Sequence, residues 1–368
     1  MVAGCNFPQE ISDSIIDCLA DDHGALKACA LTRRAWLHRS RHHLHRKVTI
    51  DSGVYRRKDY YSTPAAQHIR HLKLVSPPQP PQSGRVADNH TWGIISRFTE
   101  ITSLTLLYTS WSGKSYRCLE PIARNVTHLE LLVTSFDNCD EFFACIAMFP
   151  ELRSLVLTSL SIGSAFGRDG VRIDPPTKLT SLRYGVHSVY PAIAQRIADW
   201  LSYLPNTTLP HFSLTWRAPT EVGLEQVLRA LGSRLSHVEM PVSPDSGVTL
   251  EGNISNKLQS IIFAVTGDLT KEKMSEITGM LGDIHSVDVQ KVEIACSGTS
   301  LVDLDVWALQ PMDDHLASPQ FEDLQHVHFN FSGKSCSAEV DKPEEFAELL
   351  RRSLRRANAR GALSVCFN

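Results

Sequence analysis

Nowhere in the 368 residues does an uninterrupted apolar run approach ~20 residues, so no helical membrane span is expected. Neither sign of charge dominates. Lys plus Arg number 37 against 40 Asp plus Glu, a formal net charge of −3, which argues against a general polyanion binder. Nine cysteines are scattered without a CxxC pair, so neither a zinc ribbon nor a dense disulfide framework is indicated. The opening Met1-Val2-Ala3-Gly4-Cys5-Asn6-Phe7-Pro8-Gln9-Glu10 has no basic n-region and no apolar h-region, so no secretory leader is expected. The sequons at Asn89, Asn125, Asn206 and Asn253 should then stay bare, and the thiols reduced, in cytosol or nucleus. Catalytic fingerprints are missing too: there is no GxxxxGK(S/T) loop, GxGxxG turn, GxSxG elbow or HExxH helix. Asp313-Asp314-His315 is a compact acidic–His group that reads as a loop. No residue is nominated as catalytic, no metal or cofactor is expected, and the chain reads as a non-enzyme.

What is present is core material. Hydrophobic residues make up 42% and charged residues 21%, enough for one large or two smaller domains. The first fifty residues pattern as three short helices. Pro8-Gln9-Glu10 opens the first, with proline in a turn that does not need its N–H and Glu10 at the positive end. Ile11, Ile15 and Leu19 recur every fourth residue and Ile16 widens the stripe, while Asp13 and Asp17 face away. Asp21-Asp22-His23-Gly24 breaks the helix. Leu26, Cys29 and Ala30 mark a second, and Ala35-Trp36-Leu37 starts a third running toward Leu44.

Charge separates along this piece. Five acids and no Lys or Arg precede His23, and seven bases with no acid follow to Ile50. No base-reading motif or stacking pattern accompanies the basic stretch, so nucleic acid is not the expected partner. His38 and His42 stand at helical spacing without a nearby carboxylate, which reads as a solvated helix face rather than a metal site. About 40 residues in three helices bury too little surface to stand alone. Their apolar stripe must finish its core against the rest of the chain or against a partner.

The ordered run Phe7-Pro8-Gln9-Glu10-Ile11, Ile15-Ile16, Leu19, Asp21-Asp22, Leu26-Lys27-Ala28-Cys29-Ala30-Leu31, Arg34-Ala35-Trp36, Arg41 and Leu44 resembles an F-box, in particular those of fungal F-box proteins. Phe7 stands where that family usually has Leu, and Thr32-Arg33-Arg34 replaces a more apolar run. The resemblance implies docking to the Skp-family adaptor of a cullin-RING ubiquitin ligase. On the matching positions, Phe7, Pro8, Ile11, Ile15, Ile16, Leu19, Leu26, Leu31 and Trp36 would form or support the docking face.

The remaining residues carry a recurring phrase of the form L-x-x-L-x-L. It starts at Ile69, Ile101, Val126, Leu152, Leu179, Leu209, Leu235, Leu258, Val289 and Leu324, with Leu363, Val365 and Phe367 closing the series. The starts lie about 23 to 35 residues apart, straddling the leucine-rich-repeat range of about 20–29. Helical patterns fall between phrases, over 92–98, 141–148, 192–204, 221–231, 271–281 and 344–357. The pattern resembles an irregular leucine-rich-repeat solenoid, an α/β class of one strand and one helix per unit with a parallel sheet on the concave side. The expected organisation is a three-helix unit over residues 1–50 and a repeat region over 51–368. The family's Asn or Cys after the last strand leucine is replaced, as by Thr109, Thr134 and Leu160, so no Asn ladder is expected. Residues 51–64 read as a connector, and the proline-rich 76–84 as a surface loop.

Strand alternation turns the intervening positions to the concave face. They include His71, Lys73, His128, Glu130, Arg183, His211, His237, Glu239, Lys291, Glu293, His326 and His328. Histidine holds the third position of five phrases, either as a row that reads a partner or as solvated side chains. The mixed charge favours a protein partner over nucleic acid. The expectation is a substrate receptor of an SCF-type ligase, with a non-ligase interaction scaffold as the alternative.

Overall fold

A computed structural model describes residues 8–51, 68–76, 95, 98–111, 115–165, 173–186, 191–204, 211–216, 231, 235–242, 257–266, 269–286, 288–297, 306–332 and 343–367. The chain forms two compact units. One comprises Met1–Ser135 with Met148–Leu152, the other Phe136–Ala147 with Arg153–Asn368.

The first unit begins with α1 (Gln9–Cys18), α2 (His23–Thr32) and α3 (Arg34–Arg46). The Asp21-Asp22 break has a local cause. The Asp22 carboxylate accepts from the Ala25 amide at 2.9 Å and caps α2, meeting one of the donors every helix start leaves open. Four parallel strands follow: β1 (Lys47–Asp51), β2 (His71–Val75), β3 (Ser103–Leu107) and β4 (His128–Leu132), paired in chain order. Their register stacks Val48, Leu72, Leu104 and Leu129 in one row and Ile50, Leu74, Leu106 and Leu131 in the next. Apart from Val48, every member of the two rows is buried. A short α4 (Glu120–Ala123) lies between β3 and β4.

The second unit repeats the arrangement. Its strands are β5 (Ser154–Thr158), β6 (Ser181–Val186), β7 (His211–Trp216), β8 (His237–Val242), β9 (Ser260–Thr266), β10 (Lys291–Ser297), β11 (His326–Ser332) and β12 (Leu363–Phe367). All pair parallel in chain order. Parallel neighbours need crossovers. Here α5 (Cys139–Ala147) precedes β5, and the crossovers include α6 (Pro191–Ser202), α7 (Lys271–Gly282), α8 (Val306–Leu316), α9 (Pro343–Ser353) and α10 (Arg355–Ala359). Each unit is therefore an α/β repeat of the leucine-rich kind, built on a parallel ladder.

One backbone device recurs in both units. The carbonyl of the second residue of a phrase accepts the amides of two consecutive residues in the next phrase. Arg70 O takes Thr102 N and Ser103 N at 2.9 and 3.0 Å, and Thr102 O takes Thr127 N and His128 N at 2.8 and 3.0 Å. In the second unit Arg153, Ser236, Gln259 and Gln290 do the same. The phrase is thus stapled to its successor just before each strand begins, which fixes the register that the apolar alternation selects.

Past the strands, Tyr108, Val133 and Ser159 occupy the same place in successive phrases and all take left-handed backbone, with φ of 57°, 52° and 55°. That turn buries the next residue. Thr109 and Thr134 sit inside, hydroxyl to hydroxyl at 3.2 Å.

Three expectations need correction. Asp313-Asp314-His315 is not a loop but the C-terminal half of α8, which runs through Pro311. Asp313 is 1% exposed and its carboxylate accepts from the amides of Arg356 (3.1 and 3.2 Å) and Ala357 (3.3 Å), capping α10. The helix expected over 344–357 breaks at Leu354, whose backbone leaves helical geometry, giving α9 and α10. Strand β1 occupies residues expected to lie between the third helix and a connector. Most of that connector, the proline-rich stretch and most of the helices expected over 92–98 and 221–231 lie outside the described residues.

Candidate functional site

The helical stripe is wider than three short helices can cover. Ile16 and Leu26, at 1% and 0% exposure, are its interior members. Ile15, one residue earlier and so about 100° around the helix, stands 52% exposed, with Ile11 on the same face at 47%. Leu31 in the last turn of α2 is 89% exposed. Leu19 and Trp36 are half-buried, Pro8 is exposed, and Phe7 lies outside the described residues. Full burial of one such aliphatic side chain contributes ~1.5–3 kcal/mol. Leu31 leaves most of this unused, and Ile11 and Ile15 about half. Ile16 and Leu26 can act only by supporting the face from within.

A clamp that sequence spacing could not show joins α1 to α3. The Asp17 carboxylate receives Arg39 through Nε and Nη2, both at 2.6 Å, and His43 through Nε2 at 2.7 Å. Asp17 therefore does not simply face away from the stripe: it ties α1 to α3. Arg39 first, then His43, hold its carboxyl well below the usual carboxylate range. The α3 histidines expected as a solvated face are likewise mixed. His38 is exposed, but His43 is 9% exposed, and His42 is half-buried with its ring 5.5 Å from that of His68. Among the described residues no group of three His, Cys, Asp or Glu is arranged to hold a metal.

The ladder brings the other nominated residues into rows. In the first unit His71, Ser103 and His128 share one row, and Lys73, Thr105 and Glu130 another. Thr105 Oγ1 donates to Glu130 at 2.9 Å. In the second unit Ser181, His211, His237, Ser260, Lys291 and His326 share a row. Beside it run Arg183, Ser213, Glu239, Ile262, Glu293 and His328. Arg183 and Glu239 pair at 3.6 Å, Lys291 and Glu293 at 2.6 Å, and the His328 ring meets the Ser364 hydroxyl at 2.7 Å. The five histidines of the third position thus form no continuous row: serine and lysine interrupt them. Lys73, His128, Arg183 and His326 are exposed, and His71, Glu130, His237, Glu239, Lys291, Glu293 and His328 half-buried.

Burial pushes the thiols of Cys118 and Cys139 up to about 12, which keeps them protonated and unreactive. No helix among the described residues is long and apolar enough to cross a membrane.

No protein-family model and no curated protein matches the chain. Among solved structures, an internalin from Listeria monocytogenes is similar at 9% identity over 93% of this chain and 97% of that one, with a TM-score of 0.30. A complex of Rad7 and Elc1 from yeast is similar at 12% identity over 89% of this chain and 90% of that one, with a TM-score of 0.27.

Proposed function

We propose that this chain is a substrate receptor of an SCF-type cullin-RING ubiquitin ligase. Its F-box-like helices dock a Skp-family adaptor and, through it, cullin. Its strand ladders present an unidentified target protein. It does no chemistry itself, works in cytoplasm or nucleus, and needs neither nucleic acid, membrane nor cofactor. Its contribution is to hold the target's lysines close to a charged ubiquitin-conjugating enzyme, raising their effective concentration.

The observation that carries this reading is the uncovered face of Ile11, Ile15 and Leu31 on helices whose sequence resembles an F-box. A helix face with anchors at i and i+4 is a standard docking element. Ile15→Asp should abolish co-purification with the adaptor while circular dichroism stays native, because Ile15 is half outside the core already. Undiminished adaptor capture by Ile11→Asp and Ile15→Asp together sinks the docking assignment.

A second reading has its own support. The three helices share one compact unit with β1–β4, and α3 runs straight into β1. That continuity suits an interaction scaffold in which the F-box-like helices merely cap the first strands. Capture of adaptor and cullin from cells favours the ligase; capture of neither favours the scaffold.

A further inference from the structure

Arg39, His42, His43 and Arg46 stand at i, i+3, i+4 and i+7, so they share one side of α3. In the first unit that side, with Asp17 and with Arg70 from the turn before β2, lines an open pocket of about 470 Å³. Its charges are unequally matched. Arg39 is occupied by Asp17, and Arg70 Nη1 donates to Glu100 at 2.8 Å. Arg46 has no carboxylate partner among the described residues. One guanidinium is therefore unbalanced before any histidine titrates.

The surroundings of His42 report the same excess. Burial first, and then His43, His68, Arg39 and Arg70, hold its imidazole toward the neutral form. Arg41, beyond the pocket, has the same charge on the same helix but is not among the walls. A concave surface with an excess of one sign of charge concentrates ions of the other. The guanidinium fork matches an oxyanion bidentately, as an ammonium cannot. The volume falls in the ~300–1,000 Å³ range of small-molecule sites, more than one phosphate group fills.

We propose that this pocket binds a phosphate monoester, gripped by Arg46 and the free edge of Arg70, with His42 as a further donor. The same chemistry can arrive as a small phosphorylated metabolite or as a phosphorylated side chain of a peptide. Ile11, Ile15 and Leu31 are not among the walls of this pocket.

The test is calorimetry on the full chain at fixed ionic strength, with inorganic phosphate, free O-phosphoserine, a phosphoserine peptide and the same peptide unphosphorylated. The phosphorylated probes should bind and the unphosphorylated peptide should not. Arg46→Gln and Arg70→Gln should each weaken binding about tenfold or more. Arg46→Lys should restore only part of it, and Arg41→Gln should change nothing. Thermal midpoints without ligand should stay within a degree or two for Arg46→Gln, which separates loss of binding from loss of fold. Bound phosphate should also move the His42 ring-proton titration to higher pH. Much tighter binding of the phosphopeptide than of free phosphoserine assigns the site to a protein ligand, and equal binding to a small molecule. Binding that survives Arg46→Gln with Arg70→Gln, or falls equally with Arg41→Gln, overturns the proposal.

Discussion

Replacing Asp17 probes the join between α1 and α3, on which the docking face rests. The carboxylate takes three short bonds, two from Arg39 and one from His43. Its side chain is 40% exposed and that of Arg39 39%, so solvent screens their pairing and it contributes ~0.2–1 kcal/mol. The His43 side chain is 7% exposed, so stranding its Nε2 costs more, ~1–3 kcal/mol. Asp17→Ala should therefore destabilise the helical unit by about 2 kcal/mol. Asp17→Asn should cost about half as much. Its single carbonyl oxygen can still serve Arg39 Nε and His43 Nε2, both now bonded to Oδ1, but its amide then meets Arg39 Nη2 donor to donor.

The pH dependence has a definite sign. A carboxyl held low in the folded state contributes stability above its unfolded value of ~3.9 and loses that contribution as pH falls below it. The gap between wild type and Asp17→Asn should be full at pH 6 and shrink from about pH 4 downward. Urea unfolding by circular dichroism, with amide exchange of α1 as the local probe, reads both effects. A variant within about 0.3 kcal/mol of wild type at pH 6, or a gap unchanged at pH 3, would refute the clamp.

Two other substitutions test the packing. Leu26→Ala should cost ~2–5 kcal/mol because Leu26 is wholly enclosed, while Ile15→Ala should stay within ~0.5 kcal/mol; urea midpoints separate them. Tyr184→Phe should stabilise the second unit by about 1 kcal/mol, since the Tyr184 hydroxyl is buried with no hydrogen-bond partner among the described residues and its burial pushes the phenol well above its usual range; calorimetric melting reads the gain.

The ladder was legible in the sequence because a parallel strand buried on one face writes itself as alternation. Leu72 and Leu74, Leu104 and Leu106, and Leu129 and Leu131 all point inward at period two. Strand β1 was missed because it follows α3 without a turn and offers only Val48 and Ile50 as alternating apolar residues. Helix α8 was missed because Pro311 and the adjacent Asp313-Asp314 imitate a loop. Its acidic pair makes sense only in three dimensions, where Asp313 caps a helix 43 residues later. Asp17 and its partners stand 22 and 26 residues apart, a pairing that no helical period announces. The α1–α3 helices themselves were readable from the four-residue stripe and the Asp21-Asp22-His23-Gly24 break. Which members of the stripe turn outward was not, because Ile15 and Ile16 are adjacent and equally apolar.

The most direct measurement is amide exchange across the full chain with and without a purified Skp-family adaptor. Docking through the F-box-like helices predicts new protection across α1 and α2, residues 9–32, with β4 to β10 unchanged. Exchange there that is the same with adaptor present, or protection confined to the strands, contradicts it.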